Sequence, residues 1–222
     1  TIFADDLRIR ALAGVGLKGD PLTINVPGRV NIASLYGRVY WKNLFRLENY
    51  IPRTLIDPLT GVTVIGQIRR EAVLSVTNLM LLNQEALDLL GARIRQALTS
   101  DALVLAYGIR LSVPNGEPPY VGTLEVRIPV DARYEGLPLL VLGFENGKYT
   151  LSGGIVKDGV FAFKTTQLGD FVVLDPALYG EVFKLFNGFL NWTLAQQMSA
   201  SPEALAILEA AYQAYREMID GT

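Results

Sequence analysis

Between Leu103 and Leu174 the chain is cut into short apolar runs by turn formers, and this rhythm narrows the possible folds more than any other feature. Leu103–Val113 runs to Pro114-Asn115-Gly116-Glu117-Pro118-Pro119. Val121–Pro129 follows, with Leu124, Val126 and Ile128 alternating against Thr123, Glu125 and Arg127. Leu137–Phe144 leads into Glu145-Asn146-Gly147-Lys148, and Ile155-Val156 into Lys157-Asp158-Gly159, before Val160, Phe161 and Phe163. Phe171–Leu174 closes the series. Asn-Gly and Asp-Gly accept the positive φ of type I′ turns, whose twist matches that of paired strands. Residues 102–175 are therefore expected to form successive antiparallel strands, and short strands at this spacing fit a β-sandwich, Ig-like or jelly-roll-like.

The flanks read differently. Residues 1–70 form a strand-rich N-terminal region, with Ile24 and Val26 before Pro27-Gly28, then Val30, Ile32 and Leu35, and Val62, Val64 and Ile65 after a turn at Asp57-Pro58-Leu59-Thr60-Gly61. Residues 71–101 form an amphipathic helical segment. There Leu79, Leu82, Ala86, Leu90, Ile94 and Ala97 step by three or four, while Ala72 to Thr77 suits helix or strand and Gly91 weakens the helix. Residues 176–222 form a helical hairpin. Asp175-Pro176 and Ser201-Pro202-Glu203 are helix starts, since the first residue can cap and the proline tolerates the first turn. Val182, Phe183, Phe186, Phe189, Leu190 and Leu194 make one apolar face, and Leu205, Leu208, Tyr212, Tyr215 and Ile219 make a seam for another helix. The fold class expected is thus α+β: an antiparallel sandwich with one internal helix and two C-terminal helices, in one or two compact domains. No internal repeat stands out.

Half of the 222 residues are hydrophobic and 19% are charged, against about 25% in an average globular protein. A large core or apolar surface buried between subunits would explain the excess. No apolar run reaches the roughly 18 residues that a membrane helix needs. The chain has no Cys and no His, which excludes disulfides, thiolate nucleophiles, Cys or His zinc sites and the Ser-His-Asp triad. It begins at Thr1, as expected of a processed or excised segment with any signal peptide already removed. The net charge of −2 is unevenly placed. Arg29, Arg38, Lys42, Arg46, Arg53, Arg69 and Arg70 face only Glu48 and Asp57, whereas Asp175, Glu181, Glu203, Glu209, Glu217 and Asp220 face only Lys184 and Arg216.

Five segments carry a resemblance. These are Tyr107-Gly108-Ile109-Arg110-Leu111, Gly122-Thr123-Leu124-Glu125-Val126-Arg127-Ile128-Pro129, Phe144-Glu145-Asn146-Gly147-Lys148, Gly159-Val160-Phe161-Ala162-Phe163-Lys164-Thr165 and Gly169-Asp170-Phe171-Val172-Val173. Together they resemble a β-sandwich module of Gram-positive bacterial surface proteins, with Gly108 where that module carries an acid. The resemblance covers about a third of the chain. It implies an extracellular, adhesive or scaffolding setting and carries over no catalytic residues.

Without His, proton transfer would fall to Asp, Glu, Lys or Tyr. Asp5-Asp6 is the only adjacent acid pair, and neighbours in a strand point to opposite sides, which favours a solvated end. Gly14-Val15-Gly16-Leu17-Lys18-Gly19-Asp20 lacks the Lys-Ser/Thr of a phosphate loop and is expected to be a turn. Asn191-Trp192-Thr193 fits a glycosylation sequon inside an expected helix. The candidate binding surface is Tyr36, Arg38, Tyr40, Trp41, Lys42 and Arg46, with Phe45 beside them; the alternative is that the rings are core and the bases an outer strand face. The candidate assembly seam is Leu205, Leu208, Tyr212, Tyr215 and Ile219. No catalytic residue, metal or cofactor is implied, and a pI near 5.3 argues against nucleic acid. The expectation is a non-catalytic structural or assembly subunit of an extracellular surface layer, filament or coat, partnered by itself or another structural protein. The alternatives are a cell-surface domain for a glycan or apolar ligand, and a virion capsid-type protein.

Overall fold

The structure is a computed structural model that describes residues 2–4, 6–26, 29–43, 49–114, 116–186 and 198–220. Asp5, Pro27-Gly28, Phe45, Arg46, Asn115, Phe189, Leu190, Leu194 and the sequon at Asn191 lie outside the described residues. The chain divides into two compact units. Unit 1 is Thr1–Arg53, Gln67–Val73 and Ser112–Val121; unit 2 is Thr54–Gly66, Leu74–Leu111 and Gly122–Thr222.

Unit 1 opens with five short strands: β1 (Ile2–Phe3), β2 (Leu7–Ala11), β3 (Leu22–Asn25), β4 (Val30–Ser34) and β5 (Trp41–Asn43). Every pairing among them is parallel: β1 with β3, β3 with β5, and β2 with β4. Parallel neighbours need a long crossover. Here each crossover is itself built of strands, so the chain winds into coils that stack, as in a β-solenoid. Val15 bridges Val39 in the same sense. The sequence marks residues 1–70 as strand-rich without setting the sense of pairing, and stacked coils run all these strands the same way. The expectation of no internal repeat fails. Leu7, Ile9 and Ala11 pair in register with Val30, Ile32 and Ser34, an offset of 23 residues. Leu12 and Leu35, and Gly14 and Gly37, keep that offset in sequence. Ile24 and Val26 are buried.

The other strands are β6 (Tyr50–Ile56), β7 (Thr63–Arg69), β8 (Val73–Asn78), β9 (Leu103–Ser112), β10 (Tyr120–Pro129), β11 (Pro138–Glu145), β12 (Lys148–Ile155), β13 (Val160–Thr165), β14 (Asp170–Leu174) and β15 (Met198–Ala200). The helices are α1 (Gln84–Asp88), α2 (Ala92–Leu98), α3 (Tyr179–Phe186) and α4 (Pro202–Asp220). One sheet has the order β13-β10-β7-β6, the other β15-β12-β11-β14-β9-β8, and no described sheet closes into a barrel. The hairpin signals hold: β11 and β12 pair antiparallel through Asn146 (φ 49°) and Gly147 (φ 77°), a type I′ turn.

In unit 2 the six-stranded sheet is covered on both faces. Leu140, Leu142, Leu151, Val172 and Leu174 join one core with Ile94, Ala97, Val182, Leu185 and Ala204 from the helices. Side chains alternate along a strand. Leu139, Val141, Phe171 and Val173 therefore face the other way, where the Phe171 ring meets Phe163 of β13 at 5.3 Å. Strands buried on both faces lose the polar alternation, which is why Leu139–Leu142 reads as an unbroken apolar run. The molecule is mostly β, and its paired sheets are compatible with a β-sandwich.

Residues 71–101 are not one helix. Val73, Val76 and Thr77, stiff at χ1, lie in β8, and a 3-10 turn at Leu79–Leu81 precedes two short helices. The break between α1 and α2 falls at Gly91, where a Cβ would stand 2.7 Å from the Tyr149 hydroxyl and 2.9 Å from the Phe144 ring. Within the C-terminal region, β15 adds to the sheet edge parallel to β12, which the expected helical hairpin did not include. The Ser201 hydroxyl then caps α4 by accepting the Ala204 N–H.

Candidate functional site

The basic aromatic stretch lies on the solenoid coils of unit 1. Tyr36 and Trp41 are 68% and 42% exposed, Arg38 and Lys42 are exposed, and Tyr40 is half-buried. Arg46 lies outside the described residues. The alternative in which the rings are core therefore does not hold for Tyr36, which sits on the bend after β4 with its N–H donated to the Leu12 carbonyl. Arg8, Arg10, Lys18, Arg29, Arg38 and Lys42 are all exposed, and none forms an ion pair among the described residues. In unit 2 many bases are engaged: Arg110 with Asp170 at 2.8 Å, Arg127 with Glu125 at 2.6 Å, and Arg216 with Asp220 at 3.3 Å.

The seam on α4 is used inside unit 2 over most of its length. The Tyr212 and Tyr215 rings each lie 5.5 Å from the Tyr179 ring, and Leu208 packs on the core under the sheet. Leu205 and Ile219 remain exposed. Burial raises the Tyr179 phenol pKa, with help from Tyr212, Glu209 and Tyr215. Beside this seam lies a groove of about 420 Å³, lined by Leu137, Pro138, Pro176, Ile207, Ala210 and Ala211 among others. Exposed apolar residues neighbour its lining in sequence or strand register. Leu137 and Leu178 are exposed, Ile155 is the register partner of Pro138, and Leu205 precedes the lining residue Ala206. Composition alone gave no position for this patch, since its residues come from four separate segments.

Among the described residues of unit 1 the most buried charge is Arg69. Its Nε lies 2.8 Å from the Glu71 carboxylate, another guanidinium nitrogen pairs with Glu117, and its Cζ stands 5.6 Å over the Tyr50 ring. The Tyr50 hydroxyl donates to the Pro118 carbonyl at 3.0 Å. Arg53 donates to the carbonyls of Arg69, Arg70 and Ala72. Burial works against the charge of Arg69, yet Glu71, Tyr50 and Glu117 more than offset it, so its pKa is raised. Every group in this cluster is matched to a partner that fixes the turn Arg69–Ala72, which is the arrangement of a clamp.

Among the described residues no group of three or more acids could hold a metal ion, and no helix is long and apolar enough to cross a membrane. The Gly14–Asp20 segment is a solenoid bend, closed by mutual hydrogen bonds between Leu17 and Asp20. Asp57, held below its ordinary pKa chiefly by the Thr60 hydroxyl, caps the turn that the Asp-Pro-Leu-Thr-Gly sequence marks. No family model, curated protein or solved structure matches the chain.

Sequence reading missed Arg8, Arg10 and Leu12 as surface residues of interest. The signal was there, in the recurrence of Leu7-x-Ile9-x-Ala11-Leu12-x-Gly14 as Val30-x-Ile32-x-Ser34-Leu35-x-Gly37.

Proposed function

We propose that the chain is a non-catalytic structural subunit that self-associates in an extracellular assembly, a surface layer, filament or coat. In this reading its sandwich is of the Ig-like or jelly-roll-like kind found in Gram-positive surface modules. The observation that carries the proposal is the apolar groove of unit 2, whose lining includes Leu137, 43% exposed, with Leu178, 44% exposed, next in sequence to the lining residue Ala177 and Ile155, 66% exposed, paired in register with the lining residue Pro138. Exposed apolar patches of this kind mark protein–protein interfaces. Charge supports the same reading. Unit 1 holds ten Lys and Arg against six Asp and Glu, a net of +4; unit 2 holds ten against sixteen, a net of −6. Oppositely charged units favour head-to-tail association over like-to-like.

The test is light scattering after size exclusion, across concentration and salt. Concentration-dependent oligomers are expected, weakened at least tenfold by Ile155→Asp with Leu178→Asp, and weakened further as salt screens the units. A strict monomer at high protein concentration overturns the proposal.

A further inference from the structure

We propose that the outer face of the β2–β4 ladder binds a linear anionic polysaccharide. The parallel register places Arg8 and Arg10 of the first coil beside Asn31 and Ala33 of the second, and just ahead of the strands the Arg29 carbonyl accepts the Leu7 N–H. Paired residues of a parallel ladder point the same way, and the half-buried partners Leu7, Ile9, Val30 and Ile32 turn inward, so Arg8, Arg10, Asn31 and Ala33 share one outward face. The face carries Arg8 and Arg10, Arg29 is exposed just ahead of it, and none of the three forms an ion pair among the described residues. Beside it, the exposed Asp6 carboxylate accepts the backbone N–H of Arg29. Arginine offers a planar fork that matches a carboxylate or sulfate in two parallel hydrogen bonds.

Beyond the strands the exposed surface changes character. Leu12 and Leu35 follow Arg10 and Ala33 at the same offset and are 73% and 69% exposed, with Tyr36 next to them. Cationic forks followed by an exposed apolar and aromatic step suit a ligand with both anionic groups and apolar C–H faces, which is the chemistry of an acidic sugar. Arg8 and Arg10 stand about 6.6 Å apart along the strand. That is sparse beside the charge of duplex DNA, one per about 1.7 Å. The site does not depend on self-association.

The experiment is calorimetric titration at low salt with polygalacturonate, dextran sulfate, neutral dextran and single-stranded DNA. Polygalacturonate or dextran sulfate should bind and neutral dextran should not, and the stronger of the two acidic polymers tells a carboxylated from a sulfated ligand. Arg8→Gln with Arg10→Gln should weaken binding at least tenfold, and Arg29→Gln alone should weaken it less. Circular dichroism of the variants should match the parent, since the changed side chains are exposed. Lys157→Gln with Lys164→Gln in unit 2 should leave binding unchanged. Affinity within twofold of the parent in the Arg8 and Arg10 variant overturns the proposal, as does equal binding of neutral dextran or tighter binding of single-stranded DNA.

Discussion

Gly37 packs against Gly14 at the same bend of successive coils: a Cβ on Gly37 would stand 2.8 Å from the Gly14 amide nitrogen, and Gly37 has φ of 107°. Both the space and the backbone conformation exclude a side chain there. Gly37→Ala should therefore cost about 2 kcal/mol by chemical denaturation. Gly19→Ala, with open space around its Cβ, should stay within about 0.5 kcal/mol of the parent. Equal effects from the two would remove the stacked bend as a cause of stability.

Arg69 holds Glu71, Glu117 and Tyr50 together. Arg69→Met keeps much of the side-chain volume and removes the charge, leaving two carboxylates without their shared cation. A loss of about 2 kcal/mol is expected, the cost of breaking charged hydrogen bonds in a partly buried site. Arg127→Met, which breaks an exposed pair with Glu125, should cost less than about 1 kcal/mol. A denaturation midpoint for the Arg69 variant equal to that of the Arg127 variant would show that the clamp contributes nothing special.

Two depressed carboxyls and one raised phenol predict a pH profile. The Glu71 carboxyl is held below its ordinary range by its own backbone N–H and then by the Arg69 guanidinium, and Asp57 by the Thr60 hydroxyl. A depressed folded-state pKa gives stability that is present above the unfolded value of about 4 and is lost as pH falls through the folded one. Tyr50 acts at the other end: burial raises its phenol pKa, so stability present below about pH 10 is lost as pH rises further. Thermal midpoints should be flat from about pH 5 to 9. Glu71→Gln with Asp57→Asn should flatten the acid limb, and an unchanged acid limb in that variant refutes the assignment.

Tyr212 and Tyr215 separate an internal seam from an external one. Because both rings lie against Tyr179, Tyr212→Ala should destabilise the fold by about 2 kcal/mol and leave the oligomeric mass unchanged. Dissociation without loss of stability would mean that the seam faces another subunit.

Much of unit 2 was legible because local chemistry and tertiary demand agree there. Asn146-Gly147 and Asp158-Gly159 adopt positive φ in type I′-like turns, and Val160–Thr165 and Leu124–Pro129 pair antiparallel. Asp175 and Ser201 cap where their sequences say they should. The helical period of residues 71–101 was a weaker guide. An apolar spacing of three and four also serves a strand, a turn and two short helices when each buries its residues against one sheet.

The amino-acid order was enough for the strand-rich character, the hairpin turns, the helix starts and the absence of histidine and cysteine chemistry, because each rests on backbone preferences or atoms of single residues. Packing chose that the first five strands coil in parallel, that Arg8 stands beside Asn31 and Arg10 beside Ala33, and that Tyr212 turns inward while Ile155 stays outside. Those outcomes depend on which distant segments meet. A strand of five residues has the same local preferences whether its neighbour runs parallel or antiparallel, so only the packed chain can choose between them.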